Sequence, residues 1–387
     1  MQEIHRLYKE RKIGEKHSKQ LDINRFNFKR FGLSKREREI LNVRIFGEKF
    51  QLEDIMKRAY KTVKDTTSVL RYMTPGIFNK NRDIEEIEFY HDVGGKKIKA
   101  MIYKPKGEVG QKYPLIPFDI GLGYRMWDVQ FLSKPMARMG FAVYGTEYRR
   151  AEIAKGEIED IINGMDIIRE KFDFISDETL LFGVSMGAAI MLHIATRPEV
   201  VSRHNIQKVI ALAGFSDLVR MYYYATNYVN THDENDPRRK LLRKYLKCSM
   251  GMTPGEYPDE YYLRSPINYL HKINLPVTFI HGVDDEIVPA DHSIEMYKKM
   301  KKLKKDVKLH LTLGEGIHTP FEELFNDLTN FIGFCESIIH IYRFMNNIED
   351  PDLITDTLRA NDYLSNHLFC PQNVSLSPSL SSSILKP

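Results

Sequence analysis

Cysteine is scarce in this chain: Cys248, Cys335 and Cys370 are the only three in 387 residues, and they fall in no paired or metal-ligand spacing. That excludes a disulfide framework and a cysteine-based zinc site, and with them an oxidising compartment; a cytoplasmic setting is expected. Long apolar runs are missing too. The nearest to one, 331–344, is interrupted by Glu336, His340 and Arg343, so no transmembrane segment is expected. The first ten residues hold no apolar stretch of the signal-peptide kind. Gly121-x-Gly123 lacks the third glycine of a dinucleotide loop, and His, Cys and Asp form no cluster, so neither cofactor nor metal is expected. There is no zinc-finger spacing, RNP-like strand or heptad zipper, which argues against a nucleic-acid partner.

What is present reads as an ordinary globular chain, with 42% hydrophobic and 28% charged residues. The net charge of +5 is unevenly placed: residues 1–64 carry 18 Lys/Arg against 9 Asp/Glu. Residues 1–80 read as a basic, helical N-terminal extension, with a capping box at Ser34 and Glu37 and a break at Thr74-Pro75-Gly76. A solvated face is the plain reading of that charge, and peripheral contact with an anionic surface is the alternative. Residues 347–387 read as a C-terminal extension, disordered from about 373, where Ser, Pro and Leu dominate.

Between these lies a rhythmic region, 81–346. Two alternating segments flank Gly94-Gly95 and predict a hairpin. Compact apolar runs follow at 114–120, 141–147, 179–184, 209–215, 276–281 and 307–313, separated by helical patterns at 128–139, 157–172, 186–196, 291–302 and 320–346. Strands buried on both faces read this way, and alternation with helices predicts a mostly parallel, doubly wound α/β sheet of about eight strands. One interval breaks the alternation: 216–269, rich in tyrosine and charge, is too long for a plain connection and predicts a lid or cap insertion.

Gly183-Val184-Ser185-Met186-Gly187 sits where a strand pattern gives way to a helix pattern. A serine hydroxyl is a weak nucleophile at neutral pH, so it needs exposure at a tight corner, a base and nearby backbone donors. Gly183 and Gly187 allow the sharp turn. A second loop, beginning His281-Gly282-Val283, carries Asp284, Asp285 and Glu286 after a predicted strand; a third, Gly314-Glu315-Gly316-Ile317-His318, carries an imidazole after the last. Loops leaving the carboxyl ends of parallel strands meet on one side of the sheet.

With serine, acid and histidine in that chain order, residues 84–346 resemble the α/β-hydrolase superfamily, most nearly prolyl oligopeptidase-like catalytic domains and dienelactone hydrolase-like serine esterases. The stretch from Ser265 to Pro289 and the one from Gly314 to His318 carry the likeness. In that family the acid is the fourth residue after the His of the His-Gly pair, which here is Asp285. The resemblance then implies a catalytic triad in which His318 takes a proton from Ser185 and Asp285 fixes the imidazole. It also implies an oxyanion hole from the backbone N–H groups of Met186 and Leu122. The sequence departs from its relatives in carrying Ile120-Gly121 where they commonly have His-Gly. Tyr124, Trp127, Tyr222 and Tyr223 are candidates for the substrate pocket, and His193 and His310 for structural roles. The implied function is hydrolysis of a small-molecule carboxylic ester through an acyl-enzyme. A peptidase acting on short peptides and a binding protein without turnover are the alternatives. An imidazole base titrating near ~6.5 predicts activity rising from about pH 6 to pH 8.

Overall fold

The computed structural model describes residues 83–345, apart from 108, 123, 150–152, 249–251, 321–322 and 324–327. The N-terminal extension and the C-terminal tail lie outside the described residues. Strands β1 (Ile84–Val93) and β2 (Lys96–Pro105) form the expected antiparallel hairpin. Gly94 and Gly95 have φ of 59° and 78°, the pair of positive values that a two-residue turn between twisted strands requires.

Strands β3 (Tyr113–Asp119), β4 (Ala142–Thr146), β5 (Ile175–Val184), β6 (Ile206–Leu212), β7 (Val277–Gly282) and β8 (Val307–Thr312) complete one eight-stranded sheet in the order β1-β2-β4-β3-β5-β6-β7-β8. From β4 to β8 every pairing is parallel. The sixth strand ends earlier than its apolar run, because Ala213 has φ of 50° and turns the chain out of the sheet before Phe215.

Helices α1 (Gln130–Arg138), α2 (Gly156–Lys171), α3 (Met186–Ala195), α4 (Pro198–Arg203), α5 (Leu218–Thr231), α6 (Pro237–Cys248), α7 (Pro258–Leu263), α8 (Asp291–Lys302) and α9 (Leu328–Met345) fill the connections. On one face, Leu132 and Met136 of α1 and Ile338, Ile339 and Met345 of α9 pack over Val143, Phe182, Leu212 and Ile280. Side chains alternate along a strand, so Tyr144, next to Val143, points to the other face. There it meets α2 at Gly164, where an added Cβ would fall 1.7 Å from the tyrosine hydroxyl. Every residue of α3 is buried, as its continuous apolar sequence requires.

Helices α5, α6 and α7 make up the insertion between β6 and β7. Asp217 starts α5 by accepting hydrogen bonds from Val219 N–H (2.8 Å) and Arg220 N–H (3.2 Å). Among the described residues no helix is long and apolar enough to cross a membrane.

Candidate active site

From β3 the chain turns to β4 on one side and later returns to β5 on the other. Where strand order reverses in this way, the loops at the carboxyl ends diverge and leave a crevice. The stretch after β3, from Ile120, and Ser185 after β5 border it.

Ser185 joins the last residue of β5 to the first of α3 with φ of 56° and ψ of −121°. That region costs an L-residue roughly 1–3 kcal/mol, and it persists only where packing enforces it. Here Ser185 N–H donates to Leu212 O at 2.8 Å, and Ser185 O accepts from Ala188 N–H at 3.1 Å. Backbone crowding explains the flanking glycines: a Cβ on Gly183 would sit 2.2 Å from Gly187 O, and one on Gly187 2.1 Å from Asp119 O.

The loop after β3 is tied to this corner. Gly187 N–H donates to Ile120 O at 3.3 Å, while the Ile120 side chain packs on the core. The isoleucine at this place in the loop thus contributes its carbonyl, which any residue would supply. Gly121 and Leu122, with φ of 78° and 52°, then curl the chain back. Among the described residues neither Met186 N–H nor Leu122 N–H finds an acceptor, and both residues line one cavity with Ser185. Two unengaged donors beside a hydroxyl can stabilise negative charge developing on a carbonyl oxygen.

Asp119 braces that loop. The side chain is buried, Oδ1 accepts from Gly121 N–H (3.2 Å) and from the Tyr148 hydroxyl, and Oδ2 has no partner among the described residues. Burial pushes the carboxyl up to about 7. An unfolded aspartate releases its proton near ~3.9, so between about pH 4 and 7 the folded chain holds a proton that the unfolded chain has lost. This contribution is full below that window and lost as pH rises through it. Asp119→Asn should therefore flatten the decline of Tm between about pH 4 and pH 7. Calorimetry across that range checks it, and an unchanged slope in the variant counts against the assignment.

The acid and the imidazole come from adjacent strands. Val283 N–H donates to Thr312 O (2.9 Å) and Asp284 N–H to Gly314 O (2.8 Å), which knits the loops after β7 and β8 together. Asp285 Oδ2 lies 2.6 Å from His318 Nδ1, and Oδ1 accepts from Ile287 N–H and Val288 N–H, each at 2.9 Å. His281 Nε2 stands 3.3 Å from the same carboxylate. Burial alone would raise this carboxyl, but the His318 charge and the hydrogen bonds from His281 and His318 outweigh it and hold the group well below the usual range. An anionic acceptor at Nδ1 keeps the proton there and leaves Nε2 as the basic nitrogen.

Glu286 faces elsewhere, accepting from Tyr228 OH at 3.1 Å. The structure joins His318 to Asp285; Ser185 Oγ and His318 Nε2 make no hydrogen bond to each other or to any described residue. His193 lies buried inside α3, pushed down to about 4 by burial, and His310 stacks on His340 with ring centroids 4.0 Å apart.

Arg238, in the first turn of α6, was not singled out from the sequence. It is buried, its guanidinium spans both carboxylate oxygens of Glu315 and both of Glu323, and it stands 3.6 Å from Glu286. The insertion is thereby fixed to the acid loop and to the imidazole loop at once. Arg238→Ala leaves Glu315 buried without its partner, so a loss of about 3–5 kcal/mol is expected, read from urea unfolding. A loss below 1 kcal/mol would mean that the pair is solvated.

The four aromatic candidates, Tyr124, Trp127, Tyr222 and Tyr223, are not among the residues that line the cavity at Ser185. The cavity at Ser185 is lined by Leu122, Met186, Phe215, Met221 and Tyr245, with Leu241, Leu242, Ile287 and Val288. Tyr124 is 43% exposed under Lys244, and Trp127 is held between Lys99 and Arg125. Tyr222 makes edge contacts with Tyr223 and Tyr261, and Tyr223 is half exposed. A signal for this lining exists in the sequence: Leu241, Leu242 and Tyr245 form an apolar stripe in an otherwise basic helix, which marks a buried face. Among the described residues no group of His, Cys, Asp or Glu is placed to hold a metal ion.

A family model described as BD-FAE matches residues 102–300, just over half of the chain; the span includes Ser185 and Asp285 and ends before His318. The uncharacterized peptidase YtmA of Bacillus subtilis is 27% identical over 187 residues, which cover 46% of this chain and 64% of that protein. A mitochondrial palmitoyl-protein thioesterase of Rattus norvegicus is 27% identical over 157 residues, 37% of this chain and 48% of that protein. Among solved structures, the acylaminoacyl peptidase of Pyrococcus horikoshii is similar with a TM-score of 0.56 at 18% identity, over 73% of this chain and 45% of that one. At that identity the likeness is one of fold. The matches span less than two thirds of each of these relatives.

Proposed function

This chain belongs to the BD-FAE family, within the α/β-hydrolase superfamily, and on that footing we propose that it is a serine hydrolase that cleaves a carboxylic ester through an acyl-enzyme. Ser185 Oγ attacks the ester carbonyl carbon as His318 Nε2 takes its proton. The carbonyl oxygen, now negative, is met by Met186 N–H and Leu122 N–H. Collapse expels the alcohol, which receives the proton from His318. Water, activated by the same nitrogen, then releases the acid and restores the serine. Asp285 stays ionised throughout and stabilises the imidazolium.

The observation that carries this reading is the 2.6 Å contact of buried Asp285 with His318 Nδ1, which turns the other imidazole nitrogen into a base. The hydrogen bond from Ser185 to that nitrogen is proposed to form when substrate binds, since such bonds tighten on complex formation. An apolar cavity without a charged residue supports an uncharged acyl group.

A second reading, cleavage of short peptides, has support in the names of the relatives: a peptidase from Bacillus and an acylaminoacyl peptidase from Pyrococcus. A matched pair of 4-nitrophenyl esters and 4-nitroanilides separates the two. Ester turnover with anilide rates at least about a thousandfold lower supports the esterase, allowing about a hundredfold for intrinsic reactivity, which is some 3 kcal/mol. Anilide cleavage within tenfold of the ester supports the peptidase.

A further inference from the structure

The cavity beside Ser185 is lined by apolar side chains, with Ser185 and Tyr245 the two that carry a hydroxyl. Leu122, Met186, Phe215, Ile287 and Val288 form its wall on the hydrolase body, and α5 and α6 close it with Met221, Leu241, Leu242 and Tyr245. Tyr245 is 3% exposed, and its hydroxyl is buried with no hydrogen-bond partner among the described residues. Buried hydroxyls are nearly always satisfied, and leaving one without a partner costs about 1–3 kcal/mol. Burial also pushes the phenol well above its ordinary range, so it remains a donor at any working pH. The space itself is narrow, with room for about one water molecule at most. Met221, unbranched and soft, is the wall residue best able to yield to an entering chain.

We infer that the acyl group handled by Ser185 is a short apolar chain carrying one hydrogen-bond acceptor, a carbonyl or ether oxygen, and that Tyr245 recognises it. The inference rests on the serine hydrolase reading above and adds the substrate class. The rest of the wall offers no polar side chain besides Ser185 itself, so a chain bearing a charge would lose its hydration for nothing in return. A chain with no acceptor would leave the buried tyrosine hydroxyl unpaired. A single neutral oxygen at the right depth satisfies both demands. Sites built to bond a polar group discriminate against analogues that lack it, because the site is then left with an unpaired donor.

The test compares 4-nitrophenyl hexanoate with the 5-oxohexanoate and 4-methoxybutanoate esters, each rate divided by that for hydroxide hydrolysis of the same ester. Full-length wild type and Tyr245→Phe are assayed alongside a fluorophosphonate probe and thermal melts. The expected result is a wild-type kcat/KM preference for the oxygen-bearing chains of about tenfold, equivalent to one net hydrogen bond, that disappears in Tyr245→Phe. Equal use of the three esters by wild type, or a preference that survives the substitution, overturns the inference alone; the hydroxyl is then bonded to a trapped water. Absence of turnover on every ester, together with absence of fluorophosphonate labelling at Ser185, overturns the serine hydrolase reading and the inference with it. Phenylalanine keeps the ring that packs there, and an unchanged melt shows that a lost preference is not a lost fold.

Discussion

Ser185→Ala is expected to lower kcat on an activated short-chain ester by about ten-thousand-fold or more, with the melting transition left within a few degrees of wild type. The substitution removes one oxygen and keeps the backbone. Ser185 N–H and O retain their bonds to Leu212 and Ala188, and the strained φ of 56° is enforced by the surrounding backbone rather than by the hydroxyl. A nucleophile that is lost cannot be replaced by the remaining machinery, because Met186 N–H and Leu122 N–H stabilise only charge that an attack creates. Labelling by a fluorophosphonate should vanish in parallel. Equal turnover by wild type and variant would mean that the hydrolysis, or the impurity responsible for it, lies elsewhere.

Asp285→Asn is expected to reduce kcat by about a thousand- to ten-thousand-fold with little change in KM. An asparagine can keep its oxygen on Ile287 N–H and Val288 N–H, so the loop after β7 stays in place. Its NH2 group then faces His318 Nδ1, where the carboxylate had accepted a hydrogen bond at 2.6 Å. A donor facing that nitrogen drives the proton to Nε2, and the base is lost with no change in the position of any heavy atom. Nitrogen chemical shifts of the His318 ring distinguish the two tautomers directly. An active variant, or a ring that keeps its proton on Nδ1, would reject the role given to the acid.

Much of the candidate site is legible in the sequence, because its constraints are local. A serine at a strand-to-helix corner needs small neighbours, and the crowding at Gly183 and Gly187 is a contact between segments only a few residues apart or one strand away. The acid loop and the imidazole loop were likewise marked by their places after compact apolar runs. Choosing among Asp284, Asp285 and Glu286 was a different matter. The family likeness pointed to Asp285, and the reason is visible only in three dimensions, where Glu286 turns to Tyr228 and Arg238 while Asp285 is pinned by two backbone N–H groups facing His318.

Which side chains line the cavity at Ser185 is not legible in the sequence, for the same physical reason. Tyrosine and tryptophan are large enough to line a pocket and amphipathic enough to lie on a surface, and composition cannot separate the two uses. Tyr124, Trp127 and Tyr223 took positions against lysines, arginines or solvent, whereas the less conspicuous Leu241, Leu242 and Tyr245 closed over the serine.

The sequence by itself determined the alternation of strands and helices, the corner at Ser185 and the order of the three chemical loops, since each follows from residue size, polarity and spacing along a short stretch. Tertiary structure alone decided which carboxylate meets the imidazole, which N–H groups stay free beside the hydroxyl, and that Arg238 ties the insertion to both loops. Those outcomes depend on where segments tens of residues apart come to rest, and hydrogen-bond direction and burial are properties of that arrangement rather than of any one stretch of chain.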